Sequence, residues 1–147
     1  MRALLQRVSR AEVRVEGRVV GSIDRGLLVL LGVGHGDDEA VADALARRLT
    51  ELRIFEDEEG RTNRSLAEVE GSLLAVSQFT LYADTRKGRR PSFLDAAPPE
   101  LGSRLYEAYA DAVASLGIPV ARGVFGADMA VELVNEGPFT IWLDSGA

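Results

Sequence analysis

The run Gly26-Leu27-Leu28-Val29-Leu30-Leu31-Gly32-Val33 carries no polar side chain and is bounded by glycines. It is too short for a typical helix, so a strand buried on both faces fits best. Such a strand needs a layer of structure on each side. With 147 residues, 46% of them hydrophobic, and no Ser/Pro/Gly-rich linker, the chain is expected to supply both layers from one domain, residues 1–147.

The flanking segments say what those layers are. Residues 2–8 and then Ala11 to Glu16 alternate apolar with polar, and Gly17 opens a turn into Val19 to Ile23, an antiparallel start. Asp37 or Asp38 can cap a first helix through Val41, Leu45, Leu49 and Leu52. A short strand at Ile54-Phe55 precedes the acidic turn Glu56 to Gly60, whose oxygen spacing is not that of a calcium loop. Ser72 to Tyr82 reads as a second central strand that turns polar towards its end. A second helix starts at Pro98-Pro99-Glu100, buries Leu101, Leu105, Ala108, Tyr109, Ala112, Val113 and Leu116, and stops at Gly117 and Pro119. A strand over Val120 to Phe125 and a closing strand pair over Asp128 to Leu143 complete the chain. The expected architecture is α/β: a mostly antiparallel or mixed, barrel-like sheet in a single compact domain, with two main helices packed outside it.

Within the closing pair, Val131, Leu133, Phe139, Ile141 and Leu143 alternate with their neighbours, yet Gly137-Pro138 sits in the middle. Proline has no N–H for a ladder, which makes this dipeptide an edge, a bulge or a tight turn. A Gly-Pro bond is also one where a cis peptide costs only roughly 0.5–1 kcal/mol in a free chain. Two readings stand: a plain turn between strands, or a backbone feature aimed at a ligand.

Composition excludes more chemistry than it selects. The absence of cysteine removes disulfides, thiolate nucleophiles and zinc–cysteine sites. The single histidine, His35, lies in a Gly/Asp loop, so an imidazole-activated nucleophile is not expected. Gly32-Val33-Gly34-His35-Gly36 has neither dinucleotide spacing nor a phosphate-loop lysine. No cofactor and no metal are expected. No apolar run reaches the roughly 20 residues of a membrane span, and the first residues lack the apolar run and cleavage site of a signal peptide, which predicts a cytoplasmic protein free of membrane. The formal charge of −6 opposes a general nucleic-acid coat. One local exception is Thr85-Arg86-Lys87-Gly88-Arg89-Arg90-Pro91-Ser92-Phe93, with four cations in five residues. What remains is Ser77-Gln78-Phe79-Thr80 at a strand end, where ligand sites gather, the basic loop behind it, and Gly137-Pro138.

Ser77-Gln78-Phe79-Thr80-Leu81 together with Asn135-Glu136-Gly137-Pro138-Phe139-Thr140 resembles the paired signature of the D-aminoacyl-tRNA deacylases. The resemblance extends to Leu5-Gln6-Arg7-Val8, the Gly26 to Val33 strand, Arg53-Ile54-Phe55, Arg89-Arg90-Pro91-Ser92-Phe93 and Ala127-Asp128-Met129, almost end to end. Nothing departs from the pattern at the motif positions, and Glu136 and Phe139 fall where it is loose.

The resemblance implies a homodimeric hydrolase that removes D-amino acids, and glycine, from mischarged tRNA at a subunit-interface site. It makes Ser77, Gln78, Phe79 and Thr80 the catalytic stretch, acting largely through backbone with the 2′-hydroxyl of the terminal adenosine. Thr80 is the older nucleophile candidate. Gly137 and Pro138, as a cis dipeptide entering the partner's pocket, form the chiral filter, with Arg7, Met129, Asn135 and Thr140 around it. Arg86, Lys87, Arg89 and Arg90 would hold tRNA phosphates. Two alternatives are a non-catalytic tRNA- or replication-associated binding module using the same basic loop, and an oligomeric hydrolase of another small acyl ester.

Overall fold

A computed structural model describes residues 1–146; Ala147, the last residue of the expected domain, lies outside the described residues. The elements are β1 (Arg2–Val15), β2 (Arg18–Ile23), β3 (Gly26–Gly32), α1 (Glu39–Thr50), β4 (Phe55–Glu56), β5 (Thr62–Arg64), β6 (Ser72–Ser77), α2 (Pro99–Ser115), β7 (Val120–Arg122) and β8 (Ala130–Asp144). The main sheet runs β2-β1-β3-β6-β7, and β8 adds to β1. Strands β3, β6 and β7 are parallel, while β1 pairs antiparallel with β2, β3 and β8. This is the expected mixed sheet. It curls until its ends nearly meet: a Cβ added to Gly21 of β2 would lie 2.6 Å from the Arg122 carbonyl oxygen of β7.

The apolar run in β3 does what its composition demands. Leu27, Val29 and Leu31 pack into a cluster shared with Leu45 and Leu49 of α1 and Leu105, Tyr109 and Val113 of α2, while Leu28 faces a second cluster with Val8, Val13 and Val76. β6 divides the same way, Leu73 and Ala75 to the helices and Leu74 and Val76 to the interior. Both helices therefore pack on the outside of the curled sheet. Asp38 caps α1, its carboxylate accepting from the Val41 N–H at 2.9 Å.

Four expectations need correction. The second central strand ends at Ser77, and Phe79–Tyr82 is a single 3-10 turn, because Gly32 and Gly34 on β3 and the loop behind it leave room for the chain to fold over them. Leu52 lies beyond α1, which ends at Thr50, and Leu116 caps α2 while 38% exposed. The strand from Val120 stops at Arg122: the Gly123 N–H makes a last bond to the Ala75 carbonyl of β6 at 3.0 Å, and the chain then leaves the sheet in a turn in which the Ala127 N–H donates to the Val124 carbonyl at 3.2 Å. Finally, Asp128 to Leu143 form no strand pair: β8 is one strand that keeps its direction through Gly137-Pro138 and pairs only with β1. An edge strand tolerates proline because one side of its backbone needs no ladder partner. Among the described residues, no helix is long and apolar enough to cross a membrane.

Candidate active site

β6 delivers Ser77 to the carboxyl end of the parallel pair, opposite Leu31 of β3. The next N–H, that of Gln78, still donates to the Leu31 carbonyl at 2.8 Å. The 3-10 turn then begins, and the first N–H groups of such a turn, here Phe79 and Thr80, have no partner inside it. These are the free main-chain donors of the region. Beside them lies a cleft of about 550 Å³ lined by Ser77, Gln78, Phe79, Phe93, Phe125 and Met129, with Ala96, Ala97 and Pro99 at the approach to α2. Phe79 is 55% exposed, and its ring meets Phe93 edge to face at 5.1 Å.

Among the described residues, the cleft lining contains no Asp, Glu, His, Lys or Arg. Tyr82, at the end of the turn, offers no base either. Burial, with Asp37 adding to it, pushes its phenol up to about 12 even though the Arg2 guanidinium lies 4.3 Å from the ring centre. A reaction here must rest on oriented main-chain donors, on Ser77 and Gln78, and on what the ligand brings. Thr80 is not part of the lining; its hydroxyl is hydrogen-bonded to the Gln78 carboxamide.

Gly137-Pro138 lies elsewhere. On β1, Gln6 pairs with Thr140 and Val8 with Asn135, so the single residue Arg7 faces the four residues Glu136 to Phe139. β8 thus carries a three-residue bulge. Gly137 has φ +127°, a conformation that favours glycine, and a Cβ there would lie 2.9 Å from Arg7 Nη2. The Gly137–Pro138 peptide is cis, and both residues are exposed. Arg7, only 6% exposed, braces the bulge from within: its Nε donates to Glu136 O at 3.2 Å, Nη1 donates to Ile54 O at 2.7 Å, and the guanidinium lies 4.8 Å from the centre of the Phe139 ring. Asn135 closes the neck, accepting from the Phe139 N–H at 3.0 Å and donating to Thr140 Oγ1 at 2.9 Å.

Of the expected site residues, then, one chain brings Ser77, Gln78, Phe79 and Met129 into the cleft, and gathers Arg7, Asn135, Gly137, Pro138 and Thr140 at a separate bulge. Arg86, Lys87, Arg89 and Arg90 occupy an exposed loop whose neck is closed by Asp84 and Ser92, which exchange backbone hydrogen bonds of 2.8 and 2.9 Å. Arg86 is turned back on Asp84 through Nε and Nη2, at 2.9 and 2.8 Å, and this pair holds the carboxyl down at about 2. Lys87, Arg89 and Arg90 form no ion pair among the described residues. Sequence reasoning missed Phe93 and Phe125 as cleft walls. The signal was faint but present: the chain has five phenylalanines, and these two lie in segments otherwise rich in charge or glycine.

The fold and the site define a barrel-like α/β protein whose cleft offers main-chain donors and, among the described residues, no acidic or basic side chain in its lining. Comparison with known proteins gives the family. The family model described as D-Tyr-tRNA(Tyr) deacylase matches residues 4–144. A D-aminoacyl-tRNA deacylase of Thermomicrobium roseum is 61% identical over 145 residues, covering 99% of this chain and 94% of that one, and one of Roseiflexus castenholzii is 63% identical over 145 residues, covering 99% and 92%. The solved structure of a protein named c-Myc DNA Unwinding Element Binding Protein superposes with a TM-score of 0.94 at 38% identity, covering all of both chains. The chain belongs to the D-Tyr-tRNA(Tyr) deacylase family, a family of hydrolases.

Proposed function

We propose that this protein hydrolyses the ester linking a D-amino acid, or glycine, to the 3′ end of tRNA, and that it does so as a homodimer in which the Gly137-Pro138 bulge of one protomer enters the cleft of its partner. One observation carries the reading: a cleft lined, among the described residues, by no titratable side chain and an exposed, braced bulge coexist in one chain without meeting. Each is half of a site.

The chemistry fits the parts. An aminoacyl ester is already activated, so the Phe79 and Thr80 N–H groups stabilising the developing oxyanion, with the adenosine 2′-hydroxyl nearby, suffice for hydrolysis. A main-chain carbonyl at the bulge would accept from the substrate ammonium. With ammonium and ester held, the side chains of the two enantiomers point in opposite senses, and a stiff wall rejects the L form by collision. Glycine has nothing for the wall to reject. Lys87, Arg89 and Arg90 would contact tRNA phosphates.

The test is hydrolysis of D-tyrosyl-, L-tyrosyl- and glycyl-tRNA by the purified protein. Turnover of the D and glycyl esters with the L ester spared supports the reading; equal rates on D and L, or none on D, overturn it. A second reading, a non-catalytic nucleic-acid-binding module, draws on the three unpaired cations of the basic loop and on the 38%-identical neighbour, whose name is that of a DNA-binding protein. It predicts salt-sensitive retention of tRNA with the ester left intact.

A further inference from the structure

The bulge leaves the β1 ladder at Asn135 and rejoins it at Thr140, so between those points something other than strand pairing must fix the chain. Arg7 fills the inside. The neck is held by a different set of groups. Thr140 Oγ1 accepts from Asn135 Nδ2 at 2.9 Å and from Gln6 Nε2 at 3.3 Å, which uses both lone pairs of the hydroxyl, while Asn135 Oδ1 takes the Phe139 N–H at 3.0 Å. One carboxamide therefore spans the bulge, and a side chain from β1 ties the same hydroxyl to the neighbouring strand. None of the three residues lines the cleft.

We propose that Gln6, Thr140 and Asn135 are positioning residues that set the discrimination between D and L substrates by fixing the mouth of the bulge, without touching substrate. The inference rests on the chiral-filter reading above and gives Asn135 and Thr140 a bracing role in it, with Gln6 as a new member. Rejection by collision works only if the wall does not yield, and functional groups must be held to within about 0.5 Å to act precisely. A bulge on an edge strand, exposed at Gly137 and Pro138, has no core packing at its tip to supply that stiffness. The side-chain clamp at its neck adds it to what Arg7 supplies from within.

The test uses Thr140→Val, which keeps the shape and loses both hydrogen bonds, Thr140→Ser, which keeps the hydroxyl, and Asn135→Ala. D- and L-tyrosyl-tRNA hydrolysis is measured alongside hydrogen exchange of the Phe139 amide. Thr140→Val and Asn135→Ala are expected to cut the D-over-L rate ratio about tenfold or more through faster L turnover. Thr140→Ser should keep the wild-type ratio, and Asn135→Ala should speed Phe139 exchange. An unchanged ratio in both folded variants, or no rescue by serine, overturns the proposal. Should Thr140→Val fail to fold, Gln6→Ala tests the same oxygen from the other strand. Should the wild type show no D preference, the deacylase reading fails by itself; Phe139 exchange then still decides whether the clamp exists, and unchanged exchange in Asn135→Ala overturns it.

Discussion

Arg7 stacks over Phe139 at 4.8 Å while its guanidinium, almost fully buried, is held by the carbonyls of Ile54 and Glu136 and, among the described residues, by no carboxylate. A buried cation satisfied by main chain alone is costly to disturb, since truncation orphans its acceptors. Arg7→Ala should lower unfolding stability by about 3 kcal/mol, with Arg7→Lys, which cannot fork between two carbonyls, losing about half as much. Urea denaturation reads both. A loss under about 1 kcal/mol for the alanine variant would mean that the bulge is held by other contacts.

If the site is shared between protomers, two defective variants should repair each other. Pro138→Ala spoils the filter and Phe79→Ala spoils the cleft; a mixed dimer contains one site with both parts intact. After co-refolding, D-selective activity should return to roughly a quarter of wild type, because half of the dimers are mixed and each has one good site. Activity no higher than that of the separate variants would mean that no site is built from the bulge of one protomer and the cleft of its partner.

The hydroxyl of Thr80 lies outside the cleft lining and is engaged by Gln78. Thr80→Val should therefore lower kcat by less than about tenfold, whereas loss of a nucleophile or an oxyanion donor costs on the order of 100–1000-fold. A drop of the larger size restores Thr80 as a chemical participant.

Asp84 is held down at about 2 by its paired bonds from Arg86. A depressed carboxyl favours the native loop above its ordinary value of 3.8, and that contribution disappears as pH falls through about 2. Carboxyl NMR titration should find the Asp84 midpoint near the lower figure, returning towards the higher one in Arg86→Gln. An unmoved midpoint would show that the pair does not persist in solution.

Tyr109 carries a hydroxyl that is completely buried without a hydrogen-bond partner among the described residues, and burial pushes its ionisation far up. Tyr106, by contrast, donates to the Ala75 carbonyl at 2.7 Å. Removing the orphan group should help: Tyr109→Phe is expected to be neutral or to stabilise by about 1 kcal/mol, and Tyr106→Phe to destabilise by a similar amount, both read by thermal unfolding.

The same contrast between local and distant causes decides how much was legible in advance. The β3 run announced a strand covered on both sides, because eight apolar residues leave no face for water, and the two helices announced themselves by spacing. The end of β6 did not. Residues 77 to 82 look like strand, and only the glycines of the neighbouring β3 segment let them fold into a turn. Sequence singled out the Ser77 to Thr80 stretch and Gly137-Pro138 as motifs, yet their separation within one chain depends on the sheet closing, which no local pattern encodes. β8 is the sharpest case. Val131 and Leu133 join the interior cluster, whereas Phe139, Ile141 and Leu143 join the helix side, although all five are odd-numbered and read as one unbroken alternation.

That crossover follows from parity. Three surplus residues, an odd number, rotate the strand by one pleat, so the same alternation addresses opposite sides of the sheet before and after Gly137-Pro138. Loop segments usually tolerate a lost or gained residue, but this one cannot: a single deletion between Asn135 and Thr140 would turn Phe139, Ile141 and Leu143 together away from the helix layer and onto the other face of the sheet. Chain length at this spot is therefore locked to the core, and any lineage or design that alters the bulge must do so by exchanging side chains at constant spacing.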